Sequence, residues 1–494
     1  GKRPLAPPIA FGNQGALEVR NDAHVIWDSP VHLTRTESPT PWYAIHLALC
    51  QCMRRYTLRD FYVDLRLAFP ELQLYTVLLE TAKSGRSEVS SGLTPEEEFC
   101  RTICSLFSIY WLARIGIDGE LGLSFGVDDD WRPRQPPSEG ELEHISQMRT
   151  RQHFYEHTEW LGLQELLIDA RMLMRSADGC IVVGQEMMLA MLVLTVIDDV
   201  FKAEALLPKV RPEHAPFNEY KTGDVINDHD RALSYVLQHF PCAMPSYDGL
   251  SYEQKRAVMF TTSEMNFNHG WLVQAEAPPQ ALFANFKKVV EEGQADAAII
   301  SFYFVHWFTD LAGACPSPLE GSEQLVVALP HRVVGSFIRS FNVLSDLATE
   351  TETQVFEAYL ETYWLEEVQP GFCEPLPQGD HAIALMRLMC QAQTKDKQTS
   401  LLHAWYNLLG PEDKRVLSEE MGRTGLVDQH YKHSRSRRSD GPAILVYYSP
   451  HLLRTLLLDT ALEALVILAE IYRCARQLWP LTPLIGSQSH TVVV

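Results

Sequence analysis

Apolar residues recur at helical spacing along most of the chain. Between residues 40 and 85 they do so in WYAIHLALCQCMRRY and then DFYVDLRLAF. Thr94-Pro-Glu-Glu-Glu reads as a helix start, with a capping residue, proline in the first turn and acids behind it. That helix continues through FCRTICSLFSIYWLARIG. Further helices fit 140–157, 158–176, 183–205, 228–240, 251–275, 278–293 and 295–312. A helix over 322–352 is expected to kink or break at Pro330, and later helices fit 353–366, 380–409, 411–423 and 449–478. No window alternates apolar and polar residues with period two, and no internal repeat appears, so the predicted class is all-α.

The segments between these runs set the organisation. Residues 1–37 carry proline, glycine and polar residues without periodicity and read as an extended arm. An N-terminal helical segment follows over 38–93, then a helical catalytic domain over 94–482 and a tail over 483–494. The first 95 residues are either a helical layer packed on that domain or a dimerisation element. KSGRSEVSSG is a loop. The Gly-, Asp- and Pro-rich stretch 118–140 is another, and its three consecutive aspartates read as a solvated turn, with cation binding as the alternative.

The 494 residues are 46% hydrophobic and 10% aromatic, enough to bury a sizeable core and to exclude disorder. A formal net charge of −21 speaks against nucleic acid and anionic membrane surfaces as partners. It does not speak against a diphosphate, because a bound metal ion inverts the local field. The ten cysteines are scattered. Cys50/Cys52 and Cys100/Cys104 lack second pairs at zinc-ligand spacing, and cysteines within apolar runs fit buried thiols in a reducing, intracellular compartment. No stretch of 18 apolar residues without charge occurs, so no membrane span is predicted. The first residue is Gly rather than Met, which fits a cytoplasmic protein or an organellar one after removal of a targeting peptide.

Two acidic stretches carry the chemistry. MMLAMLVLTVIDDVFKAE ends a long apolar run on Asp198 and Asp199. FNVLSDLATE places Asn342, Asp346 and Glu350 at i, i+4 and i+8. On one continuous helix these three project within about 80° of each other. Oxygen ligands in apolar surroundings are costly without a cation, and Mg²⁺ is the hard-ligand candidate.

The pair resembles the two metal motifs of class I terpene synthases: an Asp-rich motif, then Asn-x-x-x-Ser/Thr-x-x-x-Glu at a comparable separation. The resemblance covers roughly residue 95 to the end and implies a terpene synthase-like helical bundle around a central cavity. It also implies two or three Mg²⁺ ions held by Asp198, Asp199, Asn342, Asp346 and Glu350 against an isoprenyl diphosphate such as geranyl or farnesyl diphosphate. Lys202 and Ala203 stand where the family has its third acid, and Glu204, about 140° round from Asp199, is the remaining candidate. Asp346 stands where the family has Ser or Thr. The basic loop HYKHSRSRRSDG supplies Lys432, Arg435, Arg437 and Arg438 as a diphosphate clamp, with a solvated loop as the equal alternative. No arginine occupies the place, about 46 residues before the second motif, where bacterial members carry a diphosphate sensor.

The helix IISFYFVHWFTD offers Phe302, Tyr303, Phe304, Trp307 and Phe308 as ring faces able to stabilise a carbocation; filling a core is the plainer role for each. His306 on the same helix is either a satisfied core histidine or a sensor. In SEMNFNHGW, residues Glu264, Asn268 and His269 fit an internal hydrogen-bonded network. Three functions follow. The first is cyclisation of the ionised prenyl chain. The second is capture of the cation by an external amine, as in the terpene-cyclase-like enzyme of algal kainoid biosynthesis that prenylates the nitrogen of glutamate, with Lys202 and His306 beside an amino-acid acceptor. The third is a non-catalytic helical scaffold.

Overall fold

The computed structural model describes residues 56–75, 93–136, 146–263, 265–372, 375–426, 436, 441–455, 460–481 and 490–494. The expected arm over 1–37 and most of the segment 38–93 lie outside them. Among the described residues the first helix is α1 (Leu58–Ala68), opened by a capping box in which Thr57 Oγ1 accepts from Asp60 N and the Asp60 carboxylate accepts from Thr57 N. The same device starts α2 (Pro95–Leu112), with Thr94 and Glu97 as the reciprocal pair. The sequence-based start of that helix is therefore correct to the residue. Helices α3 (Gly119–Phe125), α4 (Ser146–His157) and α5 (Trp160–Asp169) follow.

The helix expected over 158–176 stops early. A small antiparallel hairpin of β1 (Leu173–Arg175) and β2 (Ile181–Val183) replaces its end. Helix α6 (Gln185–Ile197) is apolar on every side, and residues 190–197 are all buried. A helix without a polar face belongs in a core. Each such side chain contributes up to about 1.5–3 kcal/mol on burial.

Next come α7 (His229–His239), α8 (Tyr252–Thr261), the short α9 (His269–Val273), α10 (Pro279–Glu292) and α11 (Ala297–Gly313). Asp296 caps α11 by accepting from Ile299 N at 2.9 Å. The expected helix 251–275 is thus two pieces, α8 and α9. Pro330 breaks the expected helix 322–352 as predicted: a wide turn at Gln324–Ala328 precedes it and α12 (His331–Ser345) follows it. Helices α13 (Glu352–Tyr363), α14 (Ala382–Ala392), α15 (Lys395–His403) and α16 (Pro411–Met421) come next, and Gln393 at φ +62° separates α14 from α15. The chain ends with β3 (Ala443–Leu445), α17 (Ser449–Thr455), α18 (Ala461–Leu478) and β4 (Thr491–Val493).

Helix α11 is the axis: α2, α5, α6, α8 and α12 all pack on it. Helices α11 and α2 approach closely at Gly313. A Cβ there would stand 2.3 Å from Ser105 Oγ and 2.7 Å from Arg101 O, so only glycine lets the two backbones meet. A second group joins α14 to α13, α16 and α17, with α18 on α16. Arg387 of α14 ties it together, donating from Nε to Ala275 O, from Nη1 to Met421 O and from Nη2 to Glu276 O at 2.9, 2.7 and 2.6 Å.

The all-α expectation holds for the bulk of the molecule; the departures among the described residues are four strands of three residues each. One of them, β4, is formed by the expected C-terminal tail, which pairs in parallel with β3. Among the described residues no helix is long and apolar enough to cross a membrane.

Candidate metal centre

Helix α6 ends by delivering two acids into the core. Asp198 is its C-cap, with its N–H on Leu194 O at 2.9 Å, and Asp199 opens the single 3₁₀ turn Val200–Lys202. Carboxylates at the negative end of a helix dipole, in a buried place, need cations nearby. The turn itself supplies Lys202, whose Nζ contacts Asp199 Oδ1. From α2, Arg101 sets its Nε 3.2 Å from Asp199 Oδ2 and its Nη2 3.1 Å from both oxygens of Asp310. From α11, His306 sets its Nε2 3.3 Å from Asp198 Oδ2. His306 and Asp310 are one helical turn apart on α11, so they share the face turned toward α6 and α2. The outcome is a triad of Asp198, Asp199 and Asp310 with one ligand oxygen each, all within 4.8 Å of one another.

The electrostatics show an excess of acid. Burial and the nearby Asp310 and Asp198 push the Asp199 carboxyl up to about 6. Burial works on Asp198 in the same sense, but His306 and Lys202 outweigh it and hold that carboxyl below the usual range. Burial alone would push His306 down; Asp198 reverses this and raises it. Asp230 is raised by burial and by Asp198, and Glu98 acts on Arg101 from within α2. Among the described residues, five carboxylates therefore face two permanent cations, Arg101 and Lys202, with the imidazoles of His306 and His229 beside Asp198 and Asp230. His306 Nδ1 is buried and without a hydrogen-bond partner.

Three hard oxygen donors at this spacing fit a small divalent ion. Ligands about 2.1 Å from a Mg²⁺ ion lie roughly 3–4 Å apart, so the triad needs only a small inward movement to close on one.

Of the residues nominated from sequence, the structure brings together Asp198, Asp199, Lys202 and His306. It does not add Asn342, Asp346 or Glu350, all three of which are exposed. Helix α12 stops at Ser345, and Asp346–Ala348 is one 3₁₀ turn, so Glu350 does not extend the helix face that the i, i+4, i+8 spacing assumes. Phe337 and Phe341 of α12 pack on α11 and Leu344 is buried on the same side, which turns Asn342 and Asp346 to the outside. Lys287 of α10 donates to Leu347 O and Glu350 O and fixes this end of the helix. Glu204 is exposed on the next turn and adds no ligand. Lys432, Arg435, Arg437, Arg438 and Glu264 lie outside the described residues. Asp128 of the DDDW loop accepts from the N–H groups of Asp130 and Arg132, which is turn chemistry.

The rings of α11 pack as core. Phe304, Trp307 and Phe308 meet Phe341 at 5.4–6.2 Å, Trp307 meets Phe337 at 5.0 Å, and Tyr303 meets Phe286 at 5.6 Å; Phe302 is fully buried. His269 sits among them, Nε2 against Ser340 Oγ at 2.6 Å, while Asn268 caps α9. Burial alone pushes the His269 imidazole down to about 3.

Sequence reasoning missed Asp310 and Arg101. Asp310 had a signal, the His-x-x-x-Asp spacing within an apolar helix. Arg101, a lone cation among the apolar residues of α2, gave no sign of which acids it meets, 98 and 209 residues further on.

A family model described as a family of unknown function (DUF6829) matches residues 172–465, more than half of the chain. No curated protein and no solved structure matches it.

Proposed function

This chain belongs to the DUF6829 family of unknown function, and we propose that it is a Mg²⁺-dependent enzyme acting on a diphosphate substrate. The observation that carries this reading is the convergence of Asp198, Asp199 and Asp310, from two buried helices, with acid in excess of the fixed cations around them.

Asp198, Asp199 and Asp310 would hold the ion, which when bound supplies Lewis-acid withdrawal of charge from a departing diphosphate. The remaining work falls to the chain's own groups. Arg101 and Lys202 carry fixed positive charge beside the carboxylates and are the donors available to diphosphate oxygens. Asp198 holds the His306 imidazole by its Nε2 and favours its protonated form. The apolar wall of α6 keeps water from the Asp198 end.

The specific form we propose is ionisation of geranyl or farnesyl diphosphate, followed by cyclisation; capture of the cation by an external amine is the alternative on the same site. Both rest on the Asp-rich half of the resemblance, with Asp310 rather than the 342–350 segment completing the ligand set. The test is Mg²⁺-dependent release of pyrophosphate from either substrate. Hydrocarbon or alcohol without added amine supports cyclisation, and product only when an amino acid is supplied supports transfer. Asp198→Ala and Asp310→Asn should abolish release, while Asn342→Ala should not. Release that survives both substitutions of the triad removes the proposal.

A second reading has its own support. Arg101, Lys202 and His306 already pair with the three carboxylates, as in an internal ion-pair network of a helical scaffold. Under it, no Mg²⁺-dependent turnover occurs with any prenyl diphosphate.

A further inference from the structure

Three histidines gather where the end of α4 meets the start of α12. His153 and His157 stand one turn apart on the last two turns of α4, and His331 is the first residue of α12. Their ring centroids are separated by 4.3 Å (His153–His157), 5.0 Å (His153–His331) and 6.4 Å (His157–His331). Three imidazoles on one tetrahedral zinc ion, with Zn–N of about 2.0–2.1 Å, place their centroids about 5 Å apart, which these separations bracket.

Two of the three rings already engage one nitrogen, which leaves the other for a metal. His157 Nδ1 lies 2.9 Å from His153 O, which fixes the proton there and leaves Nε2 as the open donor. His331 Nε2 lies 3.4 Å from Thr158 Oγ1, which leaves Nδ1. Burial and the other two rings lower the pKa of His331. Arg339, the cation that acts on His331, is itself occupied by Glu159 at 3.0 Å and Glu367 at 3.2 Å. As placed, the three nitrogens do not converge on one point. His153 and His157 are exposed and free to change rotamer, and a tripod requires both rings to turn, His157 exchanging its contact with His153 O for the metal.

We propose that His153, His157 and His331 form a three-histidine site for a transition-metal ion, Zn²⁺ by ligand type, with a fourth position open to water. Imidazole donors select zinc, cobalt and nickel over magnesium, so this site is chemically separate from the acid triad. The ion ties the end of α4 to the start of α12, two elements that also meet through the Phe154 and His331 rings at 5.8 Å and through the turn Gln324–Ala328.

The test uses the full chain freed of metal by a chelator. Zn²⁺ is titrated against a chromophoric chelator, and Co²⁺ is added separately to read its visible ligand-field bands. One equivalent should bind, with tetrahedral Co²⁺ bands, and millimolar Mg²⁺ should not displace it. His157→Ala and His331→Ala should each weaken binding by at least about tenfold. Circular dichroism reports whether each variant is folded, and the exposed His157 provides the readout if His331→Ala is not. Absence of Zn²⁺ binding, or unchanged affinity in His157→Ala, overturns the site.

Discussion

Replacing Arg101 by Met separates a cation site from a closed ion-pair network. Methionine keeps the apolar stem but loses the Nε contact to Asp199 at 3.2 Å and the Nη2 contacts to Asp310 at 3.1 Å. Breaking a buried pair costs about 3–5 kcal/mol, because the abandoned charge stays desolvated. Asp199 is 5% exposed and feels nearly all of this; Asp310 is 34% exposed, and water screens it. The net loss is therefore about 2–4 kcal/mol. At about 2.1 cal/mol/K per residue over the chain, each kcal/mol is worth about 1 °C, so Tm in EDTA should fall by about 2–4 °C. If the triad binds Mg²⁺, losing a competing cation tightens that binding. Mg²⁺ stabilises both proteins, so at saturation the deficit narrows by RT ln of the ratio of their Kd values, about 1.4 kcal/mol for each tenfold gain in affinity. The assay is a thermal melt of both proteins across an Mg²⁺ series with constant ionic strength. A deficit that stays the same from EDTA to saturating Mg²⁺ refutes the cation site and leaves the network reading standing.

Three other outcomes follow from particular contacts. His269 stays neutral when folded, since burial lowers its pKa to about 3, whereas the unfolded chain takes up the proton below its ordinary value near 6.5. Stability should therefore decline as pH falls from about 6.5 toward about 3, by about 1.4 kcal/mol per pH unit from this group, and His269→Gln should flatten that limb in urea melts; equal slopes would discount the assignment. Arg387→Met strands three carbonyls that the guanidinium now satisfies and should cost about 3–5 kcal/mol by denaturant titration, with no rescue by Lys, which lacks the fork; a loss below about 1 kcal/mol would contradict this. Gly313→Ala drives a methyl against Ser105 and the Arg101 carbonyl and should destabilise by about 1–3 kcal/mol, while also weakening any Mg²⁺ effect by moving α2 from Asp310; a neutral melt would show that the helices yield freely.

Local signals alone determined the helical class, the start of α2 at Thr94, the break at Pro330 and the burial of α6, because each is set by residues within a turn or two of one another. The same reasoning delivered Asp198 and Asp199 to the end of a core helix and placed His306 on the central aromatic helix. It failed at 342–350, where the i, i+4, i+8 spacing implied a continuous helix. The chain there tightens into a 3₁₀ turn, and the packing of Phe337, Phe341 and Leu344 decides which face looks inward. It also passed over Arg101 and Asp310, and the approach of His331 to the His153/His157 pair. Those meetings depend on how α2, α11, α4 and α12 stack. Helix packing is governed by shape across the whole core, such as the missing Cβ at Gly313, and leaves no mark in the spacing of the residues it brings together.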